Sequence, residues 1–265
     1  MKSKSIFLSS NIVLILFSTF FSVNTLLANV PGRQFYQLII YHIENKLQEQ
    51  RVDKYLSEAY LPAVHRMGIK GVGIFKTYHI DTAAEKRIYV LLAFNSLKEL
   101  NEAGTKLNTD KQLLASGADY IDAAYDNAPY TRKEAVIMYA FAGMPGLKQP
   151  VFDSPKEERV YELRSYESAT EKLYLNKVSM FNKEEIEIFD RIGSQPVFYG
   201  EVIAGSRMPN LMYLTTYSNM KSRDEHWKTF GSDPKWKRIS ALPEYQHNMT
   251  TADIKFLTPA SYSDF

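Results

Sequence analysis

The sequence predicts an α+β chain made of two tandem βαββαβ units, and three observations carry that prediction. The first is a loose internal repeat at a spacing of 125 residues. Tyr36, Leu38 and Tyr41 fall opposite Tyr161, Leu163 and Tyr166, and without a gap Arg66, Gly68 and Val72 fall opposite Arg191, Gly193 and Val197. The second is that hydrophobic periodicity switches between strand and helix in the same order in both copies. The third is a turn-rich stretch between the copies, Gly143 to Pro150 with Pro155 after it. Strand, helix, strand, strand, helix, strand is the order of a ferredoxin-like unit.

Each element has its own reason. Phe35 to Ile43 is rich in aromatic and β-branched residues, as a strand is. From Glu49 to Met67 the residues Val52, Tyr55, Ala59, Ala63 and Met67 recur at three and four residues, one buried helical stripe, and Gly68 stops it. Gly71 to Tyr78 and Arg87 to Phe94 follow as strands. Ser96-Leu97-Lys98-Glu99 has capping-box spacing and opens a helix that runs towards Tyr120, with a break expected at Gly104. Glu134 to Phe141 closes the unit as its fourth strand. The second copy restarts with a strand over Arg159 to Tyr166 and a helix over Thr170 to Ile192, striped by Leu175, Val178, Phe181, Ile188 and Ile192 and ended by Gly193. Strands at Val197 to Ala204 and Leu211 to Tyr217 come next. A capping box at Ser222 to Glu225 predicts a helix over Asp224 to Phe230, and Asp233-Pro234 predicts a second one, to Leu242. Ala252 to Leu257 is the last strand, and the aromatic tail after Pro259 is expected to lie across the surface. After the second strand of each unit the offset falls to 123, a two-residue loss in a hairpin loop.

The first 28 residues stand apart. Lys2 and Lys4 precede an apolar run, Ile12 to Val23, and Ala28 is a small residue where a signal peptidase would cut. This is the layout of a secretory signal peptide; the run is short for a membrane span, and an uncleaved anchor is the alternative. The expected location is therefore periplasmic or secreted, with no integral membrane domain once the signal is removed. Without Lys2 and Lys4 the 32 basic residues fall into balance with the 30 acidic ones, which argues against nucleic acid as a partner. The chain has no cysteine, so disulfides and thiolate catalysis are excluded. The expected organisation is a signal peptide over 1–28, a first unit over 33–142, a linker over 143–157, a second unit over 158–258 and a tail over 259–265.

The run Arg159-Val-Tyr-Glu-Leu-Arg-Ser-Tyr166 resembles the opening strand of the NIPSNAP family, and so does Asn219 to Trp236 with its Arg223, Trp227 and Asp233-Pro-Lys-Trp236. The resemblance covers about Arg159 to Phe256. The first half lacks both tryptophans and the Asp-Pro-x-Trp, and reads as a diverged copy. What the resemblance implies is a dimeric α/β-barrel, here intramolecular, with both barrel halves in one chain. It implies no reaction, because the family has no agreed mechanism. Related barrels are monooxygenases, haem-degrading enzymes and isomerases, an analogy at the level of fold.

Strand parity groups the candidate residues. Glu162, Arg164 and Tyr166 share one face, Tyr199 and Glu201 another, and Tyr213, Thr215 and Tyr217 a third. If the apolar faces take the helices, these polar faces meet between the two sheets, where an arginine, a carboxylate and phenols could hold a small aromatic or anionic ligand. The commoner outcome of such a pattern is an ion pair with tyrosine packing. Arg223 and Trp227 lie one turn apart with His226 beside them, either an acid–base site or, as aromatics at helical spacing usually are, an anchor to the sheet. The ligand set is then Arg164, Tyr166, Tyr199, Glu201, Tyr213, Tyr217, Arg223 and Trp227, with Arg164, Glu201 and His226 as candidates for catalysis. The scattered histidines form no metal-ligand spacing, no nucleophile elbow or dinucleotide loop is present, and no metal or cofactor is expected. Three functions fit: an exported binding protein holding a small molecule or protein partner between its sheets, a cofactor-independent monooxygenase or isomerase, or a structural assembly protein that forms homo-oligomers. One site per chain is expected, in the second half, with the first half as its wall.

Overall fold

A computed structural model of the chain describes residues 32–265. The expected signal segment lies outside the described residues. Eight antiparallel strands close into a barrel in the order β1-β3-β2-β8-β5-β7-β6-β4. The strands are β1 (Phe35–Ile43), β2 (Gly73–Thr77), β3 (Lys86–Phe94), β4 (Arg132–Ala140), β5 (Val160–Glu167), β6 (Gln195–Ala204), β7 (Asn210–Tyr217) and β8 (Thr251–Pro259). The first four run β4-β1-β3-β2 and the last four β8-β5-β7-β6, the same order twice. Register repeats too: Leu38 faces Leu91 as Leu163 faces Leu214. Two seams join the halves, β2 with β8 through Phe75 to Thr77, and β4 with β6 through Ile137 to Ala140.

The helices are α1 (Lys46–Lys54), α2 (Leu61–Arg66), α3 (Leu97–Thr109), α4 (Lys111–Ser116) and α5 (Ala118–Ile121) in the first half. In the second they are α6 (Glu171–Met180), α7 (Ile186–Arg191), α8 (Met220–Ser232) and α9 (Pro234–Ser240). Capping repeats with the strands. Asn45 and Thr170 accept from the backbone N–H three residues on, as do Ser96 and Asn219. Asp110 caps α4 and takes Arg66, while Asp233 caps α9 and takes Arg191, so one strut from helix to helix occurs in both copies. Gly68 and Gly193 end the long helices at positive φ, 84° and 78°.

Several expectations need correction. A π turn joins α1 to α2 (Tyr55–Tyr60) and another joins α6 to α7 (Phe181–Glu185). Each widened turn shifts the helical phase. That is why Leu175, expected in the buried stripe, is 55 % exposed while Tyr174 and Lys177 are buried. Helix α3 runs through Gly104 without a break, and α8 starts at Met220 under an Asn219 cap rather than at Asp224. The tail does not lie across the surface. Its backbone pairs with β2 through Ala260 and the Asp264 N–H bonds Val72, and the Phe265 ring packs on Phe75 and Tyr161.

Strand alternation divides the core into three. Tyr36, Leu38, Tyr89, Leu91, Tyr161, Leu163, Phe198, Met212 and Leu214 fill the barrel interior. Ile39, Tyr41 and Leu92 turn outward beneath the first-half helices, and Tyr166, Tyr199 and Tyr213 beneath those of the second half.

Candidate functional site

The expected inter-sheet pocket is absent as drawn, because the faces are the other way round. Tyr161, Leu163, Met212 and Leu214 meet between the two halves, and Glu162, Arg164, Tyr166, Tyr199 and Tyr213 lie under α6 to α9. A closed barrel wants apolar rings at its centre, so the aliphatic faces turn inward. A pocket of about 70 Å³ opens at one end, between Tyr89, Ser165, Asn210 and the opposing charges of Arg87, Glu134, Arg207, Asp253 and Lys255.

Beneath the second-half helices the parity groups do come together, around Glu162. Its carboxylate is fully buried. It accepts from Arg164 Nε at 2.6 Å, from Arg223 Nε at 2.7 Å and Nη2 at 3.0 Å, and from Trp227 Nε1 at 2.8 Å. Arg164 also stacks on the Trp227 ring at 3.7 Å and donates to the Tyr166 hydroxyl, which lies 2.8 Å from that of Tyr213. Burial works against the Arg164 charge, but Tyr213, Tyr166 and Glu162 around it hold the guanidinium protonated, above its ordinary value. Its hydrogen bond to Glu162 does the same for Arg223. Burial is the largest cause that pushes Tyr199 and Tyr213 well up, joined by Asp190 at Tyr199 and by Tyr166 at Tyr213, and burial brings Tyr217 to about 12. Beside this cluster Lys177 and Glu185 form a second buried pair at 2.5 Å, and desolvation raises the Glu185 carboxyl despite Lys177. Two residues assigned to the cluster stand outside it. Glu201 takes Arg33 and lies 3.4 Å from the Tyr174 hydroxyl, and His226 Nδ1 bonds the Ser222 carbonyl at 2.7 Å with its ring near Tyr217. The Glu162 carboxylate is thus already satisfied by its own neighbours, and a ligand would have to displace them.

The first half has the same frame and different contents. Gln37 stands where Glu162 does, Ile39 for Arg164, Leu100 for Arg223, Gly104 for Trp227 and Leu113 for Trp236. The carboxylate is replaced by an uncharged amide of the same size, and both arginines and both indoles by smaller groups. The space they vacate is a cavity of about 530 Å³ between sheet and helices. Tyr55, Tyr60, Leu92, Phe94, Leu107 and Leu113 form its walls, and Lys133 is the one charged residue lining it. Gly104 opens the wall, since a Cβ added there would meet nothing within 4 Å. Tyr55, at the π turn, stacks on Tyr120 at 3.8 Å and holds one side rigid. Sequence reasoning passed over this cavity. The signal was the missing pair of tryptophans, once Gly104 and Leu113 are set opposite Trp227 and Trp236.

Among the described residues no cluster of His, Asp and Glu is arranged to hold a metal ion, and no helix is long and apolar enough to cross a membrane.

Barrel and helix layer together define an α/β-barrel protein of the kind that dimeric α/β-barrels build from two chains. Two solved structures share the fold over most of their length. A protein of Fusobacterium nucleatum provisionally named a monooxygenase is 9 % identical, covers 86 % of this chain and 93 % of its own, with a TM-score of 0.55. A protein of Lactobacillus acidophilus with the same provisional name is 11 % identical over 86 % and 94 %, also at 0.55. At these identities the likeness is one of fold. A NIPSNAP family protein of unknown function from Agrobacterium tumefaciens is 21 % identical over 42 % of this chain and 97 % of its own, with a TM-score of 0.37. No curated protein matches the chain. Residues 161–264 match the NIPSNAP family model, so the second half of the chain carries a NIPSNAP domain.

Proposed function

We propose that this NIPSNAP-domain protein is a small-molecule binding protein whose site is the helix–sheet cavity of its first half. The observation that carries the reading is the substitution of Gly104 and Leu113 for the two tryptophans that fill the same place in the second half, leaving about 530 Å³ within a shared frame. That volume is in the range of ordinary ligand sites, and the walls are apolar and aromatic with few polar groups, as such sites are. The second half, filled by its own charges and indoles, serves as the rigid partner that completes the barrel. This inverts the sequence expectation of a site in the second half walled by the first.

The repeated strand order, register, caps and Arg–Asp strut support reading the chain as two ferredoxin-like units fused into a pseudo-dimer. The layout of residues 1–28 supports export, with Asn29 as the mature N-terminus; amino-terminal sequencing of the protein from its native host tests that. Arg164, Glu201 and His226 share no hydrogen bond with one another and none lines the cavity, so binding is a better reading than acid–base chemistry through them.

The test is binding of a neutral aromatic fluorophore, N-phenylnaphthylamine, to the purified protein. Wild type should bind it at one site, and Gly104→Trp, which restores the indole of the other half, should abolish binding while the protein keeps its melting temperature. Equal binding by both would sink the reading.

A further inference from the structure

We infer that the first-half cavity selects an aromatic monoanion, with the Lys133 ammonium as its counter-ion. The inference rests on the binding reading above and adds the class of ligand.

Lys133 lies on β4 opposite Tyr41, so it faces the helix layer rather than the barrel interior. Its Nζ sits 5.3 Å from the centre of the Tyr41 ring. Among the described residues it is the sole charged group lining the cavity, and no carboxylate pairs with it. The contrast with its surroundings is informative. The flanking Arg132 reaches Glu134, and Lys76 and Lys46 on neighbouring elements both reach Glu49. A cation left without a carboxylate at the mouth of an apolar cavity is open to water and yet hemmed by protein, and the loss of hydration pushes its ammonium below the ordinary lysine value. A bound carboxylate or sulfonate would supply the missing charge through a charge-assisted hydrogen bond. Opposite charges elsewhere on the wall would weaken such a preference, and there are none; Gln37, Asn101 and Asn108 are neutral donors and acceptors. The walls decide the rest of the ligand. Tyr55, Tyr60 and Phe94 offer ring faces, and the stack of Tyr55 on Tyr120 fixes one of them in place.

The discriminating pair of probes is anilinonaphthalene sulfonate and N-phenylnaphthylamine, which share their rings and differ by the sulfonate. Each is titrated against wild type, Lys133→Met, Lys133→Arg and Gly104→Trp, with Lys98→Met as a control at an 85 % exposed side chain far out on α3. The expected result is that Lys133→Met weakens the sulfonate probe by about tenfold or more while the neutral probe changes less than about twofold. Lys133→Arg and Lys98→Met should keep both. If Lys133→Met binds the sulfonate probe as wild type does, while the neutral probe still binds and Gly104→Trp still blocks it, the anion preference is overturned and the binding site stands. If neither probe binds wild type, or Gly104→Trp blocks neither, the binding site falls and the anion preference with it.

Discussion

The two halves of this barrel use one frame for opposite ends. Both have the same strand order, the same caps, the same π turn in the long helix and the same Arg–Asp strut. Beneath the second-half helices the layer is closed by a buried carboxylate clamped between two guanidiniums and an indole. Beneath the first-half helices the corresponding places hold Gln37, Ile39, Leu100 and Gly104, and the layer is left hollow. The lesson is that the frame does not depend on the filling. Caps and strand pairing fix where helices sit, and side-chain volume then decides whether the gap becomes core or cavity.

The sharpest way to break this comparison is to remove Glu162. Glu162→Ala leaves Arg164 and Arg223 without their shared carboxylate and the Trp227 N–H unpaired, and should cost about 3–5 kcal/mol. Gln37→Ala, at the equivalent place beside the cavity, should stay within about 0.5 kcal/mol in the same urea denaturation. If both cost the same, the two layers are not the opposites described here.

Trp227→Gly should come next, at about 3 kcal/mol, because it removes an indole packed on Phe189 and Phe230. It should also create a second site for the neutral fluorophore, doubling the stoichiometry. An unchanged stoichiometry would mean that the second half collapses where the first does not.

Gly104→Ala should raise stability by about 0.5–1 kcal/mol, since Gly104 sits inside the helical span of α3 and the added methyl meets no neighbour. A loss of stability in thermal melts would show that the wall at Gly104 is tighter than it looks.

The smallest effect is electrostatic and differs in sign between the halves. Glu49, in the first half, is desolvated, but Lys76 and Lys46 outweigh that and hold its carboxyl below the ordinary 4.5. Its contribution to stability is present above 4.5 and is lost as pH falls through the lowered value. Glu185, in the second half, is raised by desolvation, so its ionised form burdens the fold above the raised value and the burden is relieved as pH falls towards 4.5. Carboxyl carbon shifts followed by NMR across an acid titration should place Glu49 below and Glu185 above free glutamate; the reverse order would contradict the desolvation described for the Lys177–Glu185 pair.

Much of the architecture was legible in the residues. Alternation put Glu162, Arg164 and Tyr166 on one face, and Asp233-Pro234 announced the start of α9, whereas the start of α4 after Asp110 reads in the sequence as part of one longer helix. The direction of the faces was not legible. Both faces of β5 and β7 are buried, so alternation separates Tyr161 and Leu163 from Arg164 without saying which group points inward. The π turns were hidden for a related reason: one extra residue per turn moves the buried stripe from Leu175 to Tyr174 and Lys177, and nothing local in Phe181 to Glu185 marks it. The cavity was hidden because it is made of what is missing. Only the comparison of one copy with the other shows that Gly104 stands in the place of an indole.

The two seams carry a consequence for how the chain folds. Phe75 to Thr77 must find Leu257 to Pro259, partners 180 to 184 residues apart, and the seam is only three residue pairs long. Contacts of that span are slow to form, because the entropy of closing so long a loop is lost before the pairing returns anything. Each half therefore spends part of its folding time with two bare strand edges, the state in which β proteins pair with the wrong molecule. A barrel completed within one chain limits that interval by holding the right partner at a high local concentration, where two separate chains would have to meet by diffusion.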